Sequence, residues 1–303
     1  MPESGLSSST VGRGSQVDKI YGISDNQKDR QHIDKKEGYL MELQDLIYKK
    51  EGYIATLTLN RPERLNAISG AMTQGLTQAI QDAKEDDDIR VIVITGAGRG
   101  FCSGLDLAAQ ASGQGAASGG EETRPRVRGP GLSSLMLSLD KPTIASVNGP
   151  AVGWGFELAL LCDIRIASDK ATLGDMHVKR GLVPDNGGHW LLPRLIGWAK
   201  ACEIMFLGER MDASEAERIG LVNKVVPHDD LEQATEEWAT KIANNAPLAV
   251  QMAKRQMRLG LSSDYESNLE FSIFAQGRLF QTEDFREGIR SFTEKREPIF
   301  KGR

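Results

Sequence analysis

The chain has 303 residues, enough for one large domain or two ordinary ones, and its 40% hydrophobic and 26% charged residues are typical of soluble globular proteins. Its formal net charge of −5 argues against nucleic acid as the main partner. No apolar run reaches the roughly eighteen residues of a membrane span, and the N-terminus lacks the apolar segment of a secretory signal. We therefore expect neither nucleic-acid nor membrane partners.

The three cysteines, Cys102, Cys162 and Cys202, lie far apart among small or apolar neighbours. This pattern predicts reduced thiols and a cytoplasmic location. The four histidines include no pair at the short spacings that zinc sites use on a helix. We therefore expect no bound metal.

Residues 1–38 are polar, rich in Ser and Gly at first and in charged residues later. They show no aliphatic periodicity, so we predict a disordered tail. Beyond the tail, a helical spacing of apolar residues predicts a helix from Ala71 to Lys84. Alternating or continuous apolar runs predict strands at residues 54–59, 91–95, 142–147, 163–167 and 171–174.

The stretch 108–131 is rich in Gly, Ser and Ala, which predicts a surface loop. The C-terminal part of the chain is mostly helical in pattern. Its last helix is expected at Asp284–Lys295, with Phe285, Ile289 and Phe292 on the inward face. Strands that alternate with helices ahead of this helical part indicate an α/β protein.

The most informative segment is Asn148–Glu157, with the sequence NGPAVGWGFE. It follows an apolar strand and opens an apolar helix, so Glu157 falls in the first turn of that helix. Unpaired backbone N–H groups and the helix dipole favour negative charge there, and a carboxylate beside them suits acid–base chemistry. The alternative is that Glu157 only complements the dipole.

The chain resembles the enoyl-CoA hydratase/isomerase (crotonase) family in seven segments that follow the family's order. They are 60–67 (NRPERLNA), 94–107 (ITGAGRGFCSGLDL), 141–168 (KPTIASVNGPAVGWGFELALLCDIRIAS), 171–174 (ATLG), 181–188 (GLVPDNGG), 220–226 (GLVNKVV) and 287–302 (EGIRSFTEKREPIFKG). The resemblance implies a crotonase-type spiral of ββα units at 39–235. A C-terminal helical region at 236–303 would then join chains as homotrimers or dimers of trimers.

The resemblance also implies an oxyanion hole, formed by two backbone N–H groups around the thioester carbonyl of an acyl-CoA. These groups fall on Leu105 and Trp154. Two donors in a dry pocket stabilise an enolate, and the loss of one typically costs ~3–4 kcal/mol of barrier. Trp154 stands where the family usually has Gly, and its indole is expected to wall the acyl pocket.

The resemblance assigns contacts with CoA to Arg64, Leu65, Ala67, Ser103 and Gly104. The guanidinium of Arg64 would supply a cation for a phosphate group. The alternative is that this segment is an ordinary charged turn. An acyl-CoA thioester is thus the implied substrate, and no cofactor is implied beyond the CoA that this substrate carries.

The hydratases of the family use two glutamates, of which one helps to activate water and the other manages the α-proton. Glu157 matches the first, whereas the second position holds His177. Eight residues later Asp185 matches an acid of some family members and is expected to orient the imidazole. The alternatives are a turn role for Asp185 and a backbone-bonded, structural role for His177.

Three functions follow as hypotheses. The leading one is an acyl-CoA enzyme that hydrates an enoyl-CoA or shifts its double bond through an enolate. The second is a crotonase-like β-diketone hydrolase that cleaves a carbon–carbon bond with His177 and Asp185. The third is an inactive CoA-binding or scaffold trimer, suggested by the replacement of the second glutamate.

Overall fold

The computed structural model describes residues 38–107, 111 and 131–303. The tail predicted at 1–38 and the loop predicted at 108–131 lie almost entirely outside these residues. The described strands are β1 (Tyr39–Leu43), β2 (Leu46–Glu51), β3 (Ile54–Leu59), β4 (Val91–Gly96), β5 (Thr143–Val147), β6 (Ala151–Val152), β7 (Ile164–Ser168), β8 (Thr172–Gly174), β9 (Met211–Asp212) and β10 (Lys224–Val226).

Within the described ranges, helices are interspersed with the strands as far as β10. After β10, four helices follow one another with no strand between them. The helices are α1 (Gly70–Glu85), α2 (Leu132–Ser138), α3 (Trp154–Leu161), α4 (Gly188–Ile196), α5 (Trp198–Leu207), α6 (Ala213–Arg218), α7 (Leu231–Ala243), α8 (Pro247–Gly260), α9 (Tyr265–Leu279) and α10 (Glu283–Glu294). The α/β class is confirmed. The strand predicted at 54–59 and the helix predicted at 71–84 are confirmed to within one residue at each end.

The main sheet has the order β1-β2-β3-β4-β5-β7-β10. Strands β1 to β3 pair antiparallel, and the pairs from β3 to β10 are parallel. Within β4, Ile92 and Ile94 join one buried cluster while Val91 and Val93 join another. Because side chains alternate along a strand, these two clusters lie on opposite faces of the sheet. Burial on both faces explains the continuous apolar run.

Helix α1 packs on one face of the main sheet, and α7 packs on the other. The boundary expected between a core at 39–235 and a helical region at 236–303 falls inside α7, which runs from Leu231 to Ala243. Position 235 itself is Thr235, whose hydroxyl lies 2.9 Å from that of Ser146 in β5. The residues around this position are therefore part of the packed sheet face.

The smaller sheet places two loops side by side. Strand β6 pairs in parallel with β8, and the register sets Val152 beside Gly174. The chain leaves β6 through Gly153, whose N–H donates to the Gly174 oxygen at 3.0 Å. The turn after β6 and the segment after β8 therefore start from the same edge. This arrangement brings the start of α3 close to His177.

Helix α10 begins and ends within one residue of the prediction, but the inward direction expected for its apolar side chains is wrong for the single chain. Phe285, Ile289 and Phe292 are all exposed, the last of them at 86%. Asp284 and Ser291 are the residues that α10 buries. The carboxylate of Asp284 accepts hydrogen bonds from the backbone N–H groups of Lys301 and Gly302, so the chain end covers the polar side of the helix.

Candidate active site

The turn between β6 and α3 depends on glycine at two positions. Gly153 has φ +55° and ψ −119°, a backbone conformation that residues with a side chain rarely adopt. A Cβ on Gly155 would lie 2.1 Å from the carbonyl oxygen of Cys102. The first turn of α3 therefore packs directly against the backbone of the segment after β4. The Gly-rich pattern of the sequence reflects this close approach.

Glu157 lies in the first turn of α3 and is fully buried. Its Oε1 accepts hydrogen bonds from the backbone N–H groups of Asn186 and Gly188, each at 2.9 Å. Its Oε2 has no hydrogen-bond partner among the described residues. Burial raises the pKa of Glu157, and the two backbone hydrogen bonds offset only part of that rise. Complementing the helix dipole does not require such burial, since a solvent-exposed carboxylate in the first turn already does so.

His177 opens a short 3-10 turn after β8, and its imidazole lies between two carboxylates. Nε2 is 3.8 Å from Oε2 of Glu157, and Nδ1 is 2.8 Å from Oδ1 of Asp175. The ring also lies over Gly153, where an added Cβ would be 3.9 Å from both Cε1 and Nε2. The hydrogen bond with Asp175 raises the pKa of His177, and the charges of Glu157 and Asp185 add to the rise while burial opposes it.

Asp185 does not occupy the position expected of it. Its carboxylate is exposed and accepts a hydrogen bond from the side chain of Asn186 at 2.6 Å. The partner of His177 Nδ1 is Asp175 instead. Asp185 still lies close enough for its charge to raise the pKa of both Glu157 and His177. The sequence contains one hint of this arrangement, since Asp often bonds the backbone N–H two positions later, as Asp175 does with His177, but it does not predict the contact with the ring.

Leu105 and Trp154 are brought together by two segments that pack backbone to backbone. Gly104 has a φ of +89°, and a Cβ there would lie 2.7 Å from the oxygen of Val152 and 3.4 Å from the nitrogen of Trp154. The N–H of Val152 donates to the oxygen of Cys102 at 2.9 Å. The peptide that joins Gly104 to Leu105 therefore lies against the start of α3.

The backbone N–H groups of Leu105 and Trp154 donate no hydrogen bond to any other residue that the structure describes. Leu105 forms a parallel bridge with Ile68, but the bond in that bridge runs from the N–H of Ile68 to the oxygen of Gly104, at 2.8 Å. Trp154 is the first residue of α3, where an N–H has no partner within the helix. Two such donors in one place suit an oxygen that gains negative charge during a reaction.

The five residues expected to contact CoA form one continuous stretch next to these donors. Ser103 joins the two loops, because its N–H donates to the oxygen of Leu65 at 3.0 Å and its hydroxyl to the oxygen of Arg64 at 3.2 Å. Arg64 is exposed, whereas Ala67 and Gly104 are buried. The guanidinium of Arg64 is thus open to solvent, as the expected contact with a phosphate group requires.

Polar contacts connect the loop that carries Arg64 to the loop that follows β4. The side-chain amide of Asn66 donates to the oxygens of Ala97 and Gly100 at 3.0 and 2.8 Å. Arg61 forms an ion pair with Asp106 at 3.1 Å. These contacts tie the loop after β3 to the loop after β4, and so fix the surface beside Leu105.

The residues in the described ranges meet the requirements of neither a metal site nor a membrane-spanning helix. No group of three or more His, Cys, Asp and Glu side chains within them has the arrangement of a metal site. No helix among the described residues is long and apolar enough to cross a membrane.

Comparisons with known proteins identify the family of the chain. The sequence model of the family described as enoyl-CoA hydratase/isomerase matches residues 49–303. The chain is 37% identical over 257 residues to the short-chain-enoyl-CoA hydratase of Clostridium acetobutylicum, across 84% of this chain and 97% of that protein. It is 39% identical over 259 residues to the (E)-benzylidenesuccinyl-CoA hydratase of Thauera aromatica, across 82% and 96% of the two chains.

The solved structures give the same result. The crystal structure of an enoyl-CoA hydratase from Bacillus anthracis matches with a TM-score of 0.78 and 35% identity, covering 86% of this chain and 100% of that chain. An enoyl-CoA hydratase subunit from Geobacillus kaustophilus matches with a TM-score of 0.77 and 34% identity, covering 86% and 98%. The chain is therefore an enzyme of the enoyl-CoA hydratase/isomerase family, with the crotonase fold.

Proposed function

We propose that the enzyme adds water across the double bond of a short 2-enoyl-CoA thioester. The observation that carries this proposal is the buried, unpaired Oε2 of Glu157, which faces Nε2 of His177 at 3.8 Å. Two unpaired backbone N–H groups lie in the same region, on Leu105 and Trp154. Hydration of an α,β-unsaturated thioester requires an acid and a base for the proton transfers, together with hydrogen-bond donors that stabilise the enolate. The pair of Glu157 and His177 and the two backbone N–H groups can fill these roles.

In the proposed reaction the thioester oxygen accepts hydrogen bonds from the N–H groups of Leu105 and Trp154. The carboxylate of Glu157 takes a proton from water, whose oxygen bonds to the β-carbon. The double-bond electrons move towards the thioester and form an enolate. His177, as an imidazolium, then gives its Nε2 proton to the α-carbon. The proton that Glu157 took from water afterwards passes to Nε2 of His177, which lies 3.8 Å from Oε2, and both groups regain their starting forms. Water and the thioester are the only reactants, so no cofactor takes part beyond the CoA of the substrate.

The directions of the two pKa shifts support these roles. A raised pKa makes the Glu157 carboxylate a stronger base. A raised pKa also keeps His177 protonated at a higher pH, where it acts as an acid. Since the two groups lie 3.8 Å apart, they titrate as a coupled pair. We expect the rate to rise with pH as the base ionises and to fall as the acid loses its proton.

The substrate class is supported by the named relatives. The relative from Clostridium acetobutylicum is a short-chain-enoyl-CoA hydratase, and one from Syntrophomonas wolfei, at 34% identity, is a crotonyl-CoA hydratase. Trp154, in place of a smaller residue, fits a short acyl group. It is half-buried and packs against the main core.

A panel of CoA thioesters tests the proposal. The panel holds 2-enoyl-CoAs of increasing chain length, a 3-enoyl-CoA and a CoA-linked β-diketone. We expect 3-hydroxyacyl-CoA products, identified by the added mass of one water, with the largest kcat/KM for the shortest chains. Products formed only by a shift of the double bond, only by carbon–carbon cleavage, or not at all would contradict hydration.

The hypothesis of a β-diketone hydrolase assigns Asp185 as the partner of His177. Asp175 holds that place, and Asp185 is exposed. The panel includes a β-diketone because the chemistry of a His–Asp pair does not by itself exclude carbon–carbon cleavage. The scaffold hypothesis predicts no turnover of any thioester in the panel.

The exposed apolar side chains support assembly as a homotrimer or a dimer of trimers. Phe285, Ile289 and Phe292 form an apolar strip along α10, and Trp198 and Phe206 of α5 are also exposed. Apolar patches of this kind on a soluble protein mark surfaces that another chain covers. Placing a charge within such an interface is costly because the charge loses its hydration.

The Phe292→Asp variant is therefore expected to have the native mass of a smaller assembly than the parent enzyme. Light scattering coupled to size exclusion measures this mass. Arg290→Asp is the matched control, since it adds the same side chain on another side of the same exposed helix and should keep the parent mass. Equal masses for Phe292→Asp and the parent would remove α10 from the proposed interface.

A further inference from the structure

Asp175 follows β8 directly and is almost completely buried. Its Oδ1 accepts a hydrogen bond from the backbone N–H of His177 at 3.0 Å and lies 2.8 Å from Nδ1 of the same residue. Its Oδ2 is buried without a hydrogen-bond partner among the described residues. A buried carboxylate with an unpaired oxygen is destabilising, so it calls for a reason beyond the shape of the turn.

The backbone turn alone does not require a carboxylate. Asn provides the same side-chain oxygen for the N–H of His177 and forms such turns as readily as Asp. What Asn lacks is the negative charge beside the imidazole. The distinguishing property of Asp175 is therefore its charge, and that charge acts on His177 Nδ1.

The hydrogen bond also fixes the direction of the ring. With Nδ1 turned towards Asp175, the ring presents Nε2 to Glu157 at 3.8 Å and to the turn at Gly153. Only one nitrogen of His177 thus faces the region where the α-carbon of a bound thioester would lie. A second conformation of the ring would lose the bond with Asp175.

Three carboxylates act on the ring from three different elements. Asp175 does so from the end of β8, Glu157 from α3, and Asp185 from the loop that precedes α4. Their combined effect raises the pKa of His177, and the direct hydrogen bond with Asp175 is the largest contribution. Asp185 is exposed, so solvent screens its charge more strongly than that of Asp175.

We propose that Asp175 is the positioning residue of the reaction: it holds Nδ1–H of His177, aims Nε2–H at the α-carbon and keeps the ring an imidazolium acid. The proposal rests on the proposed hydration. In the step that it supports, the Nε2–H bond breaks and a C–H bond forms with the electron pair of the enolate. The electron pair of the broken bond stays on Nε2, and the neutral imidazole keeps its bond with Asp175.

The Asp175→Asn variant tests this role in the full-length enzyme. We expect kcat for hydration to fall by about 10²-fold, which is the lower end of what a general acid contributes, with little change in KM. The alkaline limb of the pH–rate profile should move to lower pH, because His177 then loses its proton more easily. Asp185→Asn is the matched control and should move the same limb by a smaller amount.

Titration of His177 by NMR gives a readout that does not depend on turnover. The His177→Gln variant assigns the signals among the four histidines of the chain. We expect the midpoint of His177 to fall in Asp175→Asn, because the negative charge beside Nδ1 is lost while a side-chain oxygen remains. An unchanged midpoint would overturn the proposal, even if kcat fell, because the loss would then be structural.

The two proposals fail in different ways. If the parent enzyme hydrates no thioester but the NMR midpoint falls as expected, hydration is wrong while the effect of Asp175 on the ring stands. If the parent enzyme hydrates enoyl-CoA and Asp175→Asn retains both its kcat and its alkaline limb, the positioning role is wrong.

Discussion

The Glu157→Gln variant is expected to lose about 10³-fold in kcat for hydration, within the range that a general base contributes. Gln keeps a side-chain oxygen for the N–H groups of Asn186 and Gly188, which bond Oε1 at 2.9 Å in the parent enzyme. It cannot take a proton from water. The fold and KM should therefore change little, and steady-state kinetics with a 2-enoyl-CoA measures the effect.

The same variant has an expected effect on stability. Because burial raises the pKa of Glu157, its contribution to folding is complete below the usual carboxyl pKa and is lost as pH rises through the folded pKa. Gln does not ionise and avoids this loss. We expect the Tm of Glu157→Gln to exceed that of the parent at pH 8 by more than at pH 4. Unchanged kcat would remove Glu157 from the mechanism, whatever the Tm.

The Gly104→Ala variant should lose about 10²–10³-fold in kcat, the effect of removing one oxyanion donor. The new Cβ would lie 2.7 Å from the oxygen of Val152, on rigid backbone. Relief of that overlap moves the peptide that carries the N–H of Leu105 away from the start of α3. In the proposed reaction, the two donors would then no longer reach the same thioester oxygen. The kcat for hydration measures the loss, and Tm shows how much of it reflects damage to the fold.

Gly52→Ala separates the overlap from backbone strain. Gly52 lies in the turn between β2 and β3 with a φ of +56°, and a Cβ there would meet nothing within 4 Å. This substitution has a similar conformational cost, of about 1–2 kcal/mol, with no change at the oxyanion donors. Its kcat should equal that of the parent. Equal losses of kcat in both glycine variants would contradict the role given to Gly104.

Much of the fold was predictable because local patterns determine it. The alternation at 54–59 and the continuous apolar run at 91–95 both form strands of the main sheet, and the helical spacing after Ala71 forms α1. The resemblance placed Glu157 and His177 near one another. The structure brings their side chains to 3.8 Å, through the pairing of β6 with β8.

The acidic partner of His177 was not predictable in the same way. Asp175 lies two residues before it and Asp185 eight residues after it, and spacing alone does not decide between them. The choice depends on two loop conformations. The chain turns directly after β8, so that Asp175 folds back onto the ring, whereas the loop before α4 leaves Asp185 in solvent.

The exposure of the apolar side of α10 shows a second limit of prediction from sequence patterns. The spacing of Phe285, Ile289 and Phe292 indicates that one side of the helix is apolar, and the structure places all three on one exposed strip. A periodic pattern predicts that the apolar strip packs against another apolar surface. It does not predict whether that surface belongs to the same chain or to another copy of it.

A crystal structure of Glu157→Gln with a bound 2-enoyl-CoA tests the central claim most directly, because the slow variant retains its substrate. We predict the thioester oxygen within hydrogen-bond distance of both N–H groups, on Leu105 and Trp154. The β-carbon should lie beside the side chain at position 157, and the α-carbon beside Nε2 of His177. A thioester oxygen bonded elsewhere, or an acyl group directed away from His177, would contradict the account.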